Sequence, residues 1–339
     1  MSATFAADRA AVLERLRDDS RFVLVAHEGP DGDAIGSLVA MQGLLTALGK
    51  DSAMFVSPDD LPLADEYRTF SLDGLIKTPP ADIADRTAVF LDCGNIDRNS
   101  VADALRSAPY TLNIDHHHDN TRFGTIDLVE PQASCTAEII WTLMHELDVE
   151  PSREMAEAMY IGLITDTGRF MYESTTPRAH AMAADLVAAG VDVQGVYRRL
   201  YEDMPLPRLK LLGRALGKIE QYDFGVLSLA VLEAADFEAV GAEPSHSEGI
   251  IDELRKLSGT KVALLVREVP SGPREGHWKA SLRASDDDVD VSVIAREHGG
   301  GGHRRAAGFT TTLPLEELIE QLRAAIAQQL DGEPAASVA

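Results

Sequence analysis

The sequence is short of basic residues. Lysine and arginine together number 31, against 55 aspartate and glutamate residues, which gives a formal net charge of −24 at pH 7. Such a charge repels long polyanions, so it argues against an enzyme that tracks long DNA or RNA. A small or very short phosphorylated substrate, recognised locally by metal ions and a few arginines, is favoured instead. Acidity that serves solubility alone is the alternative.

The sequence also lacks long hydrophobic runs and has only two cysteines. No apolar stretch approaches the roughly 18 to 20 residues that a membrane-spanning helix needs. The first residues are typical of a short amphipathic helix without the apolar segment of a secretion signal, so we expect a cytoplasmic protein with no membrane partner. Cys93 and Cys135 have no metal-ligand spacing and are expected to be buried free thiols.

Alternating strand and helix patterns predict two α/β domains in the 339 residues. The first, over 1–200, fits a doubly wound, mostly parallel sheet, and the second, smaller α/β domain covers 223–330. A helical linker over 201–222 joins them, and a flexible tail covers 331–339. The predicted strands are 22–26, 52–56, 87–92, 110–115, 226–231, 261–268 and 277–284, and the predicted helices are 34–48, 98–107, 134–147, 153–165, 245–257, 290–297 and 314–329.

Acidic and imidazole side chains follow the apolar runs where predicted strands end. Because the carboxyl ends of parallel strands meet at one edge of a sheet, we expect these side chains to share one crevice. The predicted ligands are His27, Asp31, Asp33, Asp92, His116 and Asp166. The run before Asp166 also fits a helix, so a helix end is the alternative there. This set of ligands is typical of a two-metal hydrolase. Oxygen and imidazole ligands without thiolate favour Mn²⁺ or Mg²⁺, although Zn²⁺ and Co²⁺ could also bind.

The most specific segment is the DHHH run over 115–118. Four consecutive titratable residues after an apolar strand have no explanation in core packing. We expect His116 to bind metal, Asp115 to orient an imidazole or a ligand, and His117 to contact the substrate phosphate. Asp92 is expected to bridge two ions, because a carboxylate offers one oxygen to each. Asp92, Asp115 and His117 are therefore the predicted catalytic residues.

A run of four glycines before His303 predicts a phosphate-binding loop in the second domain. Glycine permits close approach and positive φ, so backbone N–H groups there can reach a phosphate. Arg304 and Arg305 are expected to add charged donors behind the histidine. A merely flexible loop is the alternative. The candidate substrate-binding residues are His117, Arg98, Arg283, Gly301, Gly302 and His303.

Together these motifs resemble those of the DHH phosphoesterase superfamily. The four motifs are matched by His27, Asp31 and Asp33, by Asp92, by Asp115, His116 and His117, and by Asp166. The segment GGGGHRRAAGF at 299–309 is similar to the glycine-rich signature of the first type of DHH-associated C-terminal domain. Within the superfamily, the chain resembles the nanoRNase and pAp phosphatase group, which includes enzymes that also cleave cyclic di-AMP or its linear product pApA.

The resemblance implies an oligoribonuclease that converts very short RNA to mononucleotides and 3′-phosphoadenosine 5′-phosphate (pAp) to AMP, with two Mn²⁺ ions per chain. One ion would bind His27, Asp31 and Asp92, and the other Asp33, Asp92, His116 and Asp166. The second domain would hold one end of a short substrate, and the chain would form a homodimer. A main activity on cyclic di-AMP, and a nucleotide-binding regulator without turnover, are the open alternatives.

Overall fold

The structure is a computed structural model that describes residues 3–58, 61, 63, 67, 70, 72, 75–99, 102–202, 204–269 and 275–331. Contacts within the chain divide it into two units, Met1–Asp203 and Met204–Ala339, and each unit has its own sheet and hydrophobic core. No helix in the described ranges has both the length and the apolar character to cross a membrane. Beyond Asp331, the predicted tail lies outside the described residues.

In the first unit, strands alternate with helices. The strands are β1 (Arg21–Val25), β2 (Asp51–Phe55), β3 (Leu75–Ile76), β4 (Thr87–Leu91), β5 (Thr111–Asp115) and β6 (Ile126–Val129). The helices are α1 (Ala3–Asp18), α2 (Gly32–Ala47), α3 (Ala102–Leu105), α4 (Thr136–Glu146), α5 (Arg153–Asp166), α6 (Pro177–Ala188) and α7 (Val193–Tyr197), with a π-helical turn at Arg198–Glu202.

All six strands of the first sheet run parallel, in the order β3-β2-β1-β4-β5-β6. The strand order reverses between β1 and β4, and open α/β sheets bind ligands beyond the carboxyl ends of the strands at such a switch point. The doubly wound, mostly parallel sheet that the sequence predicts is confirmed.

The central strands β1 and β4 are buried on both faces beyond the first residue of β1, which explains why Phe22–Val25 and Ala88–Leu91 are apolar throughout. Phe22 and Leu24 of β1 face a large core that α2, α4 and α5 help to form. Val23 and Val25 face a smaller core on the other side of the sheet, which Leu105 of α3 joins. Helices therefore cover both faces, and the carboxyl edge of the sheet is the place left for polar side chains.

Helices α2 and α5 approach each other through glycines. A Cβ atom at Gly36 of α2 would lie 2.4 Å from the carbonyl oxygen of Ala158. A Cβ atom at Gly162 of α5 would lie 2.7 Å from Oδ1 of Asp33. Only glycine permits such close approach. The contact therefore fixes the first turn of α2 against α5, and this turn contains one of the predicted metal ligands.

The second unit contains a mixed sheet. Its strands are β7 (Glu220–Tyr222), β8 (Leu227–Leu232), β9 (Val262–Glu268), β10 (Trp278–Ala284), β11 (Gly301–His303) and β12 (Ala306–Thr311), and its helices are α8 (Leu206–Gly217), α9 (Ala234–Val240), α10 (Ile250–Arg255), α11 (Val291–Glu297) and α12 (Leu315–Leu330). The order is β11-β12-β10-β9-β8-β7, in which β8 and β9 are parallel and the other neighbours antiparallel.

Helices cover the second sheet unequally on its two faces. Helices α11 and α12 pack on one face, beneath β10 and β12 among others. Helices α8, α9 and α10 pack on the other face, over β8 and β9. Helix α8 lies in the range 201–222 that the sequence predicts as a linker, and Leu211 and Ala215 bury it against this sheet. The opposite half of that face, over β10, β12 and β11, carries small residues instead.

Among the described residues of the predicted helix 98–107, only Ala102–Leu105 are α-helical, and the helix is wrong at Asn99. The described residues form a 3-10 turn at Ile96–Arg98 and the four-residue α3. Between them, Asn99 has an extended backbone, and its buried side chain donates a hydrogen bond to the carbonyl oxygen of Ala26 at 2.7 Å. This long-range hydrogen bond favours the extended conformation over a continued helix.

The predicted helix 245–257 is interrupted. A 3-10 turn at Pro244–Ser247 precedes α10, and Gly249 between them has a φ of 80°. Glycine adopts this left-handed conformation without the cost that other residues meet, so the chain turns there. Apolar spacing along a helix gives no sign of such a break.

Candidate metal centre

The six predicted ligands converge at the carboxyl edge of the first sheet. They follow β1, β4 and β5 or lie at the ends of α2 and α5, and they are His27, Asp31, Asp33, Asp92, His116 and Asp166. Asp166 is the last residue of α5. The prediction that it follows a strand is therefore wrong, and the alternative, that it ends a helix, is confirmed. Ligand atoms lie within 4.8 Å of one another in each of three groups, which are His27, Asp31 and Asp92, then Asp33, His116 and Asp166, then Asp92, His116 and His117.

Asp92 lies at the centre of these groups. It is 2% exposed and has a left-handed φ of 56°, a conformation that aspartate tolerates better than most residues. Its Oδ2 atom lies 3.6 Å from His27 Nε2, and its Oδ1 atom lies 3.5 Å from His116 Nε2. The two carboxylate oxygens thus face different imidazoles, which is the arrangement expected of a carboxylate shared by two ions.

Asp33 is fully buried and caps a helix other than its own. Its Oδ2 atom accepts a hydrogen bond from Thr136 N at 2.6 Å, and its Oδ1 atom accepts one from Ala137 N at 3.0 Å. These are the first N–H groups of α4, which have no partner within the helix. Thr136 Oγ1 also donates to Asp92 Oδ1 at 3.2 Å. The N-terminus of α4 therefore positions two predicted ligands, a role that the sequence did not indicate.

Asp115 and His117 form a buried pair beside the ligands. His117 Nδ1 lies 2.6 Å from Asp115 Oδ1, which also accepts a hydrogen bond from His116 N at 2.8 Å. Asn120 Nδ2 donates to the other oxygen, Asp115 Oδ2, at 2.5 Å. Asp115 thus holds the ring of His117. Sequence reasoning missed Asn120, although it ends the segment DHHHDN and its position after the histidines was the available signal.

The carboxylates at this site repel one another. Burial raises the pKa of Asp166 to about 6, and the carboxylates of Asp31 and Asp92 add to the rise while His116 opposes it. Burial, together with Asp92 and Asp166, raises the pKa of Asp33 well above its usual range. Burial lowers the pKa of His116, but its hydrogen bonds to Asp166 and Asp92 outweigh that effect and raise the pKa. The site therefore favours added positive charge.

The donor set fits hard divalent metal ions. Carboxylate oxygens and imidazole nitrogens make up all three ligand groups, and this mixture suits Mn²⁺ or Mg²⁺. Cys93 and Cys135 are buried and are not joined in a disulfide, as the sequence predicts, and neither belongs to a ligand group. Buried carboxylates that face one another are costly unless compensated, and bound cations would supply the compensation.

In the second unit, the last two residues of the glycine run belong to the edge strand β11 (Gly301–His303), where the sequence predicts a phosphate-binding loop. A Cβ atom at Gly300 would lie 2.2 Å from the carbonyl oxygen of Gly308, and one at Gly302 would lie 2.5 Å from that of Ala306. Strand packing therefore requires glycine at both positions. A Cβ atom at Gly301 would meet nothing within 4 Å, and its φ is not positive. The fold of the unit does not explain glycine there.

Gly301 belongs to one face of β10, β12 and β11 that is formed mainly by small residues. Strand register places on this face, which we call the glycine platform, the residues Gly301, Gly308, Ser281, Ala306 and Arg283. Neighbouring residues such as Leu282 enter the core beneath α11 and α12. Arg283, a predicted substrate contact, therefore lies on the same face as Gly301, two register positions along the strands, and gives the platform a cationic group.

The arginines that the sequence predicts as further phosphate donors, Arg304 and Arg305, contact an acidic side chain instead. Arg305 Nε and Nη2 each lie 3.0 Å from a carboxylate oxygen of Asp287, and Arg304 Nε lies 3.5 Å from the same residue. Both guanidinium groups thus pair with an acidic side chain of their own unit, which the sequence did not anticipate. The side chains of Arg98 and His303 lie outside the described residues.

Both units of the chain match families of known proteins. The DHH family, N-terminal domain, matches residues 21–163, and the DHHA1 domain matches residues 228–332. The chain is 33% identical over 312 residues to the bifunctional oligoribonuclease and PAP phosphatase NrnA of Thermus thermophilus, with 91% of this chain and 89% of that protein covered. The chain belongs to the DHH family. The resemblance seen in the sequence motifs is thereby confirmed.

Two further similarities bear on this DHH protein. It is 27% identical over 294 residues to a probable manganese-dependent inorganic pyrophosphatase of Lactobacillus johnsonii, with 84% of this chain and 88% of that protein covered. Its fold is similar to the crystal structure of an exopolyphosphatase-related protein from Bacteroides fragilis, with a TM-score of 0.84, 24% identity, and coverage of 96% and 97% of the two chains. At that identity, the second similarity concerns the fold alone.

Proposed function

We propose that this DHH protein is a metal-dependent phosphoesterase that hydrolyses very short RNA oligonucleotides to mononucleotides and pAp to AMP. The main support is the convergence of carboxylate and imidazole ligands on Asp92, in a chain whose relative at 33% identity is named for both activities. The net charge of −24 favours short substrates over long ones. The homodimer and the cytoplasmic location stay predictions from the sequence.

Two ions would be held by overlapping ligand groups. His27, Asp31 and Asp92 would hold one, and Asp33, His116 and Asp166 would hold the other together with Asp92. When bound, such ions activate water and neutralise charge on the phosphoryl oxygens. Mn²⁺ is the proposed ion, because the donors are hard and a pyrophosphatase relative is named manganese-dependent. Mg²⁺, Co²⁺ and Zn²⁺ are the alternatives.

His117 would contact the substrate phosphate. Burial lowers the pKa of its imidazole, but the hydrogen bond to Asp115 and the charges of Asp115 and Asp92 raise the pKa above its ordinary value. A protonated imidazole donates a charge-assisted hydrogen bond, which would stabilise a phosphoryl oxygen as negative charge develops on it. Asp115 would keep the ring in place and the proton on Nδ1.

The glycine platform would contribute to substrate binding. Gly301 has no steric reason to be glycine, which points to a ligand that approaches the backbone closely. Successive N–H groups of an edge strand point alternately to the neighbouring strand and to the open edge, so one N–H of the Gly301–Gly302 pair is available to a ligand. Together with the guanidinium of Arg283, it would offer donors of the kind that bind phosphate. The first unit would supply the chemistry and the second would contribute mainly to KM.

Substrate choice tests the proposed function. With Mn²⁺ added, kcat/KM for RNA of two to five residues and for pAp is expected to exceed that for a 24-residue RNA by on the order of tenfold or more, because the acidic surface repels a long polyanion. The panel also contains pApA, cyclic di-AMP and pyrophosphate. Equal cleavage of the long RNA would contradict the proposal, and binding of pApA without any turnover would favour the regulator.

Replacing Gly301 with alanine should raise KM for short RNA by about tenfold, with little change in kcat, because a methyl group would separate the substrate from backbone donors. Gly213→Ala is the matched control, since a Cβ there also meets nothing within 4 Å in the same unit, and KM should not change. Gly300→Ala should instead lower stability. A wild-type KM in Gly301→Ala would show that the platform does not bind substrate.

A further inference from the structure

Glu138 is a fully buried carboxylate that the proposed chemistry does not use. It lies in the first turn of α4, and its Oε2 atom accepts hydrogen bonds from Ser134 N at 3.0 Å and from Ser134 Oγ at 2.6 Å. Its Oε1 atom lies 3.0 Å from Nε of Arg178, which belongs to α6. A buried charge is costly even when it is paired and hydrogen-bonded. The Glu138–Arg178 pair lies beside the first turn of α4, and this position suggests that the pair holds that end of the helix in place.

Arg178 also contacts the segment that follows β6. Its Nη1 atom lies 2.7 Å from Glu130 Oε1, and its Nη2 atom donates a hydrogen bond to Thr142 Oγ1 at 2.5 Å. Glu130 in turn donates its backbone N–H to the carbonyl oxygen of Asp115 at 2.9 Å. One guanidinium group therefore joins α6 to two segments, α4 and the end of β6, that both border the candidate metal centre.

The turn that Glu138 holds leads directly to the ligands. Ser134 is followed by Cys135, whose side chain makes no capping hydrogen bond to α4, and then by Thr136 and Ala137. The backbone N–H groups of these last two residues are the donors to Asp33. A displacement of the turn would therefore move the hydrogen bonds that orient the Asp33 carboxylate.

We propose that Glu138 and Arg178 are positioning residues that fix the N-terminus of α4 and, through it, the orientation of Asp33 as a metal ligand. The inference rests on the proposed metal-dependent function. Loss of a side chain that orients a metal ligand typically lowers metal affinity by about 10- to 100-fold. Asp33, which accepts two backbone hydrogen bonds from α4, shares a ligand group with His116 and Asp166 but not with His27. The shared ligand Asp92 receives only the longer hydroxyl hydrogen bond of Thr136, at 3.2 Å, so the effect should fall mainly on one of the two ions.

The test is a Mn²⁺ titration of chelator-treated protein, in which the electron paramagnetic resonance signal of free Mn²⁺ reports each binding step. Asp33→Asn identifies the step that depends on this ligand. Glu138→Ala should weaken the same step by about tenfold or more and leave the other within about twofold. Glu138→Gln should weaken the step less than Glu138→Ala, because its amide oxygen still accepts from Ser134 although its NH2 group then faces Arg178. Arg178→Gln should weaken the same step.

Arg86→Gln is the control for a merely structural effect. Arg86 is another ion-paired arginine of the first unit, with Nε 2.8 Å from Asp82 Oδ1 and Nη2 2.9 Å from Asp51 Oδ2, but it contacts the amino end of β1. This variant should lower Tm and leave both Mn²⁺ steps unchanged.

Unchanged steps in both Glu138→Ala and Arg178→Gln, or equal weakening of both steps, would overturn the inference while leaving the proposed function intact. If Glu138→Ala does not fold, Arg178→Gln and Glu138→Gln decide the outcome. A wild-type protein that binds no Mn²⁺ and none of the alternative ions would overturn both proposals.

Discussion

Replacing Asp92 with asparagine is expected to lower kcat for short RNA by about 10³-fold or more, because the shared carboxylate holds both proposed ions and their loss removes several kcal/mol of transition-state stabilisation. Asparagine tolerates the left-handed φ of 56° as aspartate does, so the fold should persist. The variant should also bind fewer Mn²⁺ ions in a titration. Steady-state kinetics and metal content measured on one preparation check both expectations.

Asp148→Asn is a matched control for this substitution. Asp148 is an exposed aspartate of the same unit with a left-handed φ of 53°, and it belongs to none of the ligand groups. Its amide variant should keep wild-type kcat. Asp92→Ala should be as inactive as Asp92→Asn and less stable by roughly 1 to 2 kcal/mol, because alanine is strained at positive φ. A tenth or more of wild-type kcat in Asp92→Asn would contradict a shared-ligand role.

Removing metal should destabilise the first unit, in which the carboxyl groups of the buried Asp33 and the partly buried Asp166 already have raised pKa values. Mn²⁺ at about 100 times its Kd would stabilise the unit by about 2.7 kcal/mol for each ion bound to the native state alone. For a unit of this size, that corresponds to a rise in Tm of about 5 to 10 °C per ion. Calorimetry of chelator-treated protein with and without Mn²⁺ measures the shift.

Ionic strength is the confounding variable in that measurement. A chain with a net charge of −24 gains some stability from any salt, because screening weakens repulsion between its surface charges. NaCl at matched ionic strength should therefore give a much smaller shift than Mn²⁺, and Asp92→Asn should lose most of the Mn²⁺ effect. Equal shifts in NaCl and Mn²⁺ would show that the site has no particular affinity for the metal.

The ligand-bearing strands were predictable because their sequences leave little choice. After their first residues, Arg21 and Thr87, strands β1 and β4 are apolar throughout, as strands buried on both faces must be, and the first polar side chains beyond them fall at the sheet edge. The positions of His27 and Asp92 at this edge could therefore be predicted from the chain order. The histidines after β5 could be assigned because nothing in core packing explains them.

Other features had no local signal. The apolar run 161–164 before Asp166 fits a strand or a helix equally well, and only the packing of α5 on α2 decides for the helix. The capping of α4 by Asp33 joins residues 103 and 104 positions apart, and no pattern in either segment indicates it. Glycines that look like a flexible loop form an edge strand, because Gly300 and Gly302 allow close packing on β12.

The glycine contact between α2 and α5 also limits how this protein can be made more heat-resistant. Replacing helical glycine with alanine usually stabilises a helix by about 1 kcal/mol, and α2 contains three such residues, Gly32, Gly36 and Gly43. All three face α5 at distances that leave no room for a methyl group. Engineering for thermostability should therefore begin at Gly213 of α8, where a methyl group meets nothing within 4 Å, and leave α2 unchanged.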